Sequence, residues 1–278
     1  MNNDAIGYII LENDTTQREV RNLEKIDIGG NLFFLRFTTV LQSLNCNNRN
    51  RRNYNKDAMV KALNSEEISE LIANNKWHCE TGHPITDNIN RIATIDGTKT
   101  CCMIKKWWIE GDLVMGEVET LADGMLGTAL AGKMLQGMNP SFSLRALARL
   151  EKKGGISYVT TPPRIITYDE VYLPSHKEAY GRPGVKKVEK SIHTGKEICY
   201  ENGAIAITAE DIKDDIIKKS ENLNIICESF DIEPSSLAIS PQGNMLRMKS
   251  NNGDTFVFAL ESSLAMRTME YMAGRIIR

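Results

Sequence analysis

The sequence predicts an α+β fold, a β-rich core with helices around it and a further segment at the C-terminal end. Residues 91–95, 100–108 and 112–120 alternate apolar and polar side chains, broken by Asp96-Gly97 and Glu110-Gly111-Asp112. That is the pattern of strand, turn, strand, turn, strand. Residues 55–74 and 124–137 instead repeat their apolar side chains at helical spacing. Of the 278 residues, 41% are hydrophobic and 25% charged, a globular balance that argues against a disordered or fibrous chain. This length provides for one substantial core and a smaller appendage.

Taken in order, residues 32–41 (Leu-Phe-Phe-Leu-Arg-Phe-Thr-Thr-Val-Leu) suit a buried strand, and the Asn-rich stretch 45–53 suits a loop, because Asn side chains bond their own backbone. Ala58, Met59, Ala62, Leu63, Ile68, Leu71 and Ile72 mark two short helices, the second capped by Ser65. His78 falls beside Trp77 at a predicted helix end. The helix over 124–137 runs through Leu126, Leu130, Met134 and Leu135, closes at Gly137 and is stopped by Asn139-Pro140. Strands are predicted at 141–147, 156–159 and 164–173. The basic stretch 184–196 reads as a linker. Beyond it lie a helix at 211–227, a strand at 256–260 and a closing helix at 261–277.

Lysine and arginine total 34 against 36 acidic residues, so the formal charge of −2 provides no global field for nucleic acid or an anionic membrane. No apolar run reaches the roughly 18–20 residues of a membrane span, and residues 1–10 lack a secretory signal layout, so a cytosol-like compartment is expected. Six cysteines (Cys46, Cys79, Cys101, Cys102, Cys199, Cys227) form no C-x-x-C pair and read as reduced structural thiols, with no metal or other cofactor implied. Cys79 stands four residues from His83, a weak signal for a thiol nucleophile.

A serine becomes a nucleophile when a base takes its proton, a third group orients the base and donors await the oxyanion. The chain has four histidines, His78, His83, His176 and His193. His83 stands out within Gly82-His83-Pro84, a turn ahead of a strand, where flanking Gly and Pro fix the backbone. A turn histidine without a role is the bland alternative. Ser141 and Ser143 lie two apart, hence on one face of their strand, and Arg145 shares that face, where it could support developing negative charge. An ordinary Ser-rich strand is the competing reading.

Four strings then occur in order: Asn48-Arg49-Asn50-Arg51-Arg52-Asn53-Tyr54; Gly82-His83-Pro84; Trp107-Trp108-Ile109-Glu110-Gly111-Asp112-Leu113-Val114-Met115-Gly116; and Ser143-Leu144-Arg145-Ala146-Leu147. In order and spacing, across about residues 45–180, they resemble the prohead core proteases of tailed phages, capsid-maturation serine proteases similar in fold to the herpesvirus assemblins. The resemblance implies an assemblin-like β-barrel or sheet core surrounded by helices, with a catalytic domain over 1–183, a linker over 184–196 and a C-terminal extension or removable tail over 197–278. It also implies His83 as base and Ser143 as nucleophile. Leu144, Ala146 and Ala148 depart from the family's Ser-Ser-Arg-Gly-Leu-Gly-like strand without removing a catalytic group, and Ser141 stays as alternate nucleophile. For the third member the matching segment 168–175 points to Asp169, with Glu170, His176 and Glu80 as alternates.

The implied activity is a serine endopeptidase that cleaves phage scaffold or core and capsid precursors, and itself, after glutamate, inside the assembling prohead in the host cytoplasm. Ile226-Cys227-Glu228 and Ala259-Leu260-Glu261 fit that loose pattern for self-cleavage. Capsid and scaffold precursors are the expected partners, with self-association and without specific nucleic acid or membrane. The competing functional reading is a catalytically silent core or scaffold component that keeps the fold. A nucleic-acid binder built on residues 48–54 comes third, since three arginines lie among its asparagines.

Overall fold

The computed structural model describes residues 5–11, 20–48, 50–86, 88–171, 186–190, 197–201, 204–241 and 245–260. It is a mixed α+β chain dividing into two compact units, Tyr8–Ile205 and Met1–Gly7 with Ala206–Arg278. The elements begin with strands β1 (Ala5–Leu11), β2 (Arg21–Gly29) and β3 (Leu32–Ser43). Short strand β4 (Arg52–Tyr54) follows the Asn-rich loop, in which the Asn48 side chain accepts the backbone N–H groups of Asn50 and Arg52. Arg52 is fully buried, so the basic string is partly a core feature.

Helices α1 (Lys56–Leu63) and α2 (Glu66–Ala73) are capped by Asn55 and Ser65, whose side chains accept the N–H groups of Ala58 and Ile68. Next come β5 (His78–Glu80) and α3 (Ile89–Ala93), then β6 (Thr100–Glu110), β7 (Leu113–Thr120) and α4 (Leu126–Leu135). Two expectations are corrected here. His78 lies on a strand, where Cys79 pairs across to Cys102. The predicted strand 91–95 is helical, because the Asn88 side chain accepts the Arg91 N–H and starts α3.

The chain then continues through β8 (Ser141–Ala148), β9 (Glu151–Lys153), β10 (Ile156–Val159) and β11 (Arg164–Val171), followed by β12 (Lys186–Lys190), β13 (Glu197–Glu201) and β14 (Ala204–Thr208), within which the first unit ends at Ile205. Within the stretch 184–196 that composition marks as a linker, β12 pairs antiparallel with β13. One sheet of this unit has the order β2-β3-β7-β6-β5, and β8 pairs on one side with β1 and on the other with β11. These sheets stay open among the described residues, so of the expected barrel or sheet core it is the sheet form that is found. The two sheets meet at β5 and β11: Trp77 donates its indole N–H to the Ile166 carbonyl and the Thr167 hydroxyl donates to that of His78. Between them lies a core that includes Phe37, Leu41, Trp77, Cys79, Ile104, Phe142, Leu144 and Tyr168.

The other unit contains α5 (Ala209–Lys218), α6 (Asn222–Ser229), β15 (Ala238–Ile239), β16 (Met245–Lys249) and β17 (Thr255–Ala259), the three strands forming one sheet in that order. The single helix expected over 211–227 is two, since Lys219 adopts a left-handed conformation (φ 51°) and caps α5. The closing helix expected over 261–277 lies outside the described residues.

Candidate active site

Strand β8 puts Phe142, Leu144, Ala146 and Ala148 into the core, which by the period of two leaves Ser141, Ser143 and Arg145 on its other face. The neighbouring β11 does not alternate evenly. Ile165 lies opposite Ala146, while Thr167 lies opposite Arg145, so Ile166 is an extra bulged residue. The bulge switches the strand's parity: Ile165 remains on the core side, and Asp169 is delivered directly opposite Ser143. The carbonyl of the bulged Ile166 is the one that Trp77 caps, which removes the cost of an orphaned buried acceptor.

His83 enters from the turn after β5. Gly82 has φ +78° and donates its N–H to the Glu170 carbonyl at 2.6 Å, Thr81 forms an isolated parallel bridge with Glu170, and Pro84 is buried. The turn is thereby fastened to β11 next to Asp169. The imidazole lies between the two strands, with Nε2 2.6 Å from Ser143 Oγ and Nδ1 2.7 Å from Asp169 Oδ2. A carboxylate can only accept, so Nδ1–H donates to Asp169 and Nε2 is left to receive the serine hydroxyl proton. Ser143 and Asp169 are buried, whereas the His83 side chain keeps 11% of its surface open to solvent. That leaves the imidazole as the group of the three with an approach from outside.

Asp169 has no exposed surface, and its charge is met by protein groups. Oδ1 accepts the Glu80 backbone N–H at 3.2 Å and Arg145 Nη2 at 3.1 Å, and Oδ2 has Arg145 Nε 3.0 Å away in an ion-pair contact. Arg145 Nη2 also donates to Glu80 Oε1 at 2.8 Å, and Nη1 to the carbonyls of Ile92 and Thr94. Glu80 is gripped in turn by Arg91 and by the Asp96 N–H. Burial would by itself raise the Glu80 carboxyl, but the Arg91 hydrogen bond, the Arg145 charge and the Asp96 N–H together hold it below its ordinary value.

The remaining candidates are placed as follows. Ser141 shares the face of Ser143 but lies opposite Val171, at the start of the strand. Glu170 lies opposite Phe142 on the other face of β11, where burial raises its carboxyl to about 7 despite the Lys133 charge. Glu80 reaches Asp169 with its backbone and Arg145 with its carboxylate. Cys79 is buried, its thiol pushed up by desolvation, the opposite of an activated nucleophile. His176 and His193 lie outside the described residues. Arg145, expected to meet developing charge at the nucleophile, is fully buried and directed at Asp169 and Glu80. The sequence reading missed Arg91, and the signal that reveals it is Asn88 ahead of Ile89-Asn90-Arg91-Ile92-Ala93, an N-cap before a short helix. Among the described residues no cluster of three or more His, Cys, Asp or Glu side chains is gathered to hold a metal ion.

The family model described as the Peptidase S80 family matches residues 36–239, more than half of the chain and all of the residues just described. This chain belongs to the Peptidase S80 family. Membership makes it a member of a protease family and agrees with the resemblance carried by the four sequence strings. Among solved structures, the chain is similar to one described as the bacteriophage T4 capsid assembly protease, gp21, with 22% identity and a TM-score of 0.49, over 62% of this chain and 100% of that one. No curated protein matches this Peptidase S80 member. No helix among its described residues is long and apolar enough to cross a membrane.

Proposed function

We propose that this Peptidase S80 member is a serine endopeptidase with Ser143 as nucleophile, His83 as general base and Asp169 as the group that orients the imidazole. The observation carrying this reading is the unbroken chain Ser143 Oγ, His83 Nε2, His83 Nδ1, Asp169 Oδ2, with contacts of 2.6 and 2.7 Å. In the reaction, Ser143 Oγ attacks the scissile carbonyl carbon as its proton passes to His83 Nε2. The imidazolium, stabilised by Asp169, then protonates the leaving amine. Water, deprotonated by the same imidazole, cleaves the acyl-enzyme ester and restores the serine. Backbone N–H donors for the oxyanion complete such a site, and losing one typically costs about 10²–10³ in turnover.

Scaffold or core and capsid precursors of a phage prohead, and the chain itself, are the proposed substrates, with the host cytoplasm and the assembling prohead as the place of action. The resemblance of the four strings to prohead core proteases supports this choice. The proposed organisation is a catalytic domain over 1–183, a linker over 184–196 and an extension or removable tail over 197–278, with Glu228 and Glu261 as candidate self-cleavage positions. Co-expression with a capsid or scaffold precursor tests the proposal. Processing by wild type and by Ser141→Ala, lost in Ser143→Ala, is the expected result; processing by all three overturns it. The silent-scaffold reading requires no processing by wild type.

A further inference from the structure

We propose that Arg145 and Glu80 are positioning residues of the peptidase reaction, locking the Asp169 carboxylate so that His83 stays aimed at Ser143. The inference rests on the reading of Ser143, His83 and Asp169 as the reacting set. A carboxylate held by one imidazole alone can rotate about its bond to Cβ and swing that imidazole away from the serine. Here the rotation is blocked from two sides. Arg145 Nη2 donates to Oδ1 at 3.1 Å, and its Nε lies 3.0 Å from Oδ2 in an ion-pair contact that makes no hydrogen bond, so one guanidinium faces both oxygens. The Glu80 backbone N–H then fixes Oδ1 from a second strand at 3.2 Å.

Arg145 needs its own anchor, because a fully buried guanidinium is costly unless its donors are met. Glu80 Oε1 accepts from Nη2 at 2.8 Å, and the carbonyls of Ile92 and Thr94, at the end of α3, accept from Nη1 at 3.3 and 3.2 Å. The partly buried Arg91 balances the second carboxylate, so the set is two guanidiniums and two carboxylates, alternating in sign from α3 inward to His83. The charged groups facing the His83–Asp169 pair are thus Arg145 from β8, Glu80 from β5 and, through Glu80, Arg91 from α3. A lysine at 145 keeps the charge but cannot span both carboxylate oxygens.

A merely structural role, tying α3 and β5 to β8, would leave the chemistry of the serine unchanged in any variant that folds. The test follows labelling of Ser143 by a fluorophosphonate from low to high pH in the full chain, for wild type, Arg145→Met, Arg145→Lys, Glu80→Gln and Ser143→Ala. The downfield proton resonance of His83 Nδ1–H is recorded for each, and thermal melting reports folding. Arg145→Met is expected to label about 10²-fold more slowly, the loss typical of a misplaced catalytic group. Its ascending pH limb moves to higher pH, since the Asp169 charge then acts on the imidazolium without the cation beside it. Arg145→Lys returns the limb toward its wild-type place but recovers only part of the rate, and Glu80→Gln falls between.

The resonance persists in Ser143→Ala and is lost in Arg145→Met. A folded Arg145→Met with wild-type rate, pH limb and resonance overturns the inference. If that variant fails to fold, wild-type behaviour of both Arg145→Lys and Glu80→Gln overturns it, and slowed labelling in either with a displaced limb or weakened resonance supports it. Labelling elsewhere than Ser143 in wild type defeats the parent reading alone. The resonance then still decides the positioning: its loss in Arg145→Met supports it, and its retention there refutes it.

Discussion

Ser143 and Asp169 lie directly opposite each other on the neighbouring antiparallel strands β8 and β11, and the imidazole of His83 bridges them. Cross-strand partners are the closest neighbours a sheet offers, with Cβ atoms about 4.5–5.5 Å apart, and both strands carry core residues on their reverse faces. The hydroxyl and the carboxylate are therefore set by the sheet register, and the imidazole is the part delivered by a turn.

If Asp169 selects the tautomer of His83, replacing it by Asn removes the acceptor from Nδ1–H while keeping nearly the same shape. Turnover of Asp169→Asn on a precursor substrate is expected to fall by roughly 10⁴, as tautomer loss does in a serine triad, and the melting temperature to fall as well, because the buried Arg145 loses one of its two counter-charges. Steady-state kinetics and a thermal melt on the same sample check it.

The turn that delivers His83 depends on Gly82 at φ +78°, where no neighbouring atom crowds the place of a Cβ. The cost of Gly82→Ala is then conformational, about 1–2 kcal/mol, and relief of that strain pulls the N–H from the Glu170 carbonyl. The expected outcome is a small loss of stability in denaturant titration together with a larger loss of activity than the destabilisation explains.

Glu170, raised to about 7 by burial, provides a pH signature in stability. Its folded value lies above the 4.5 of an ordinary carboxyl, so the folded chain binds the proton more tightly than the unfolded one. This contribution is fully present below about pH 4.5 and is lost as pH rises through about 7. Glu170→Gln, which stays neutral, is expected to match wild type at pH 5 and to be more stable at pH 8, by at most about 3 kcal/mol. Denaturant midpoints at the two pH values measure it.

On the reverse face of β8, Phe142 is fully buried and tilted against Phe37 at 6.4 Å between ring centroids. Phe142→Ala is expected to cost about 3–5 kcal/mol, because the sheets around the cavity cannot collapse into it. Chemical denaturation measures the loss, and the shifted serine should also slow labelling by an organophosphorus reagent.

Much of this arrangement is legible in the sequence. Alternation with turn signals marks β6 and β7, Asn139-Pro140 marks the start of β8, and Gly82-His83-Pro84 marks the turn that carries the imidazole. What is not legible depends on register. A bulge leaves no composition signal, so that Asp169 faces Ser143 while Ile165 faces the core follows from pairing and not from the strand's own pattern. Short elements mislead for a related reason. Arg91-Ile92-Ala93 alternates like a strand, but the Asn88 cap and the buried Ile89 and Ile92 settle it as helix. The destination of Arg145 was hidden as well, because its partners Glu80 and Asp169 are 65 and 24 residues away in sequence.

The claim on which the rest depends is that the Ser143 hydroxyl is activated by His83. Mass-spectrometric mapping of the residue modified by a fluorophosphonate, in wild type and in His83→Ala, measures this directly. The expected result is a single adduct on Ser143 in wild type and none in His83→Ala over the same time. An adduct on Ser141, or a Ser143 adduct that forms equally fast without His83, would contradict it.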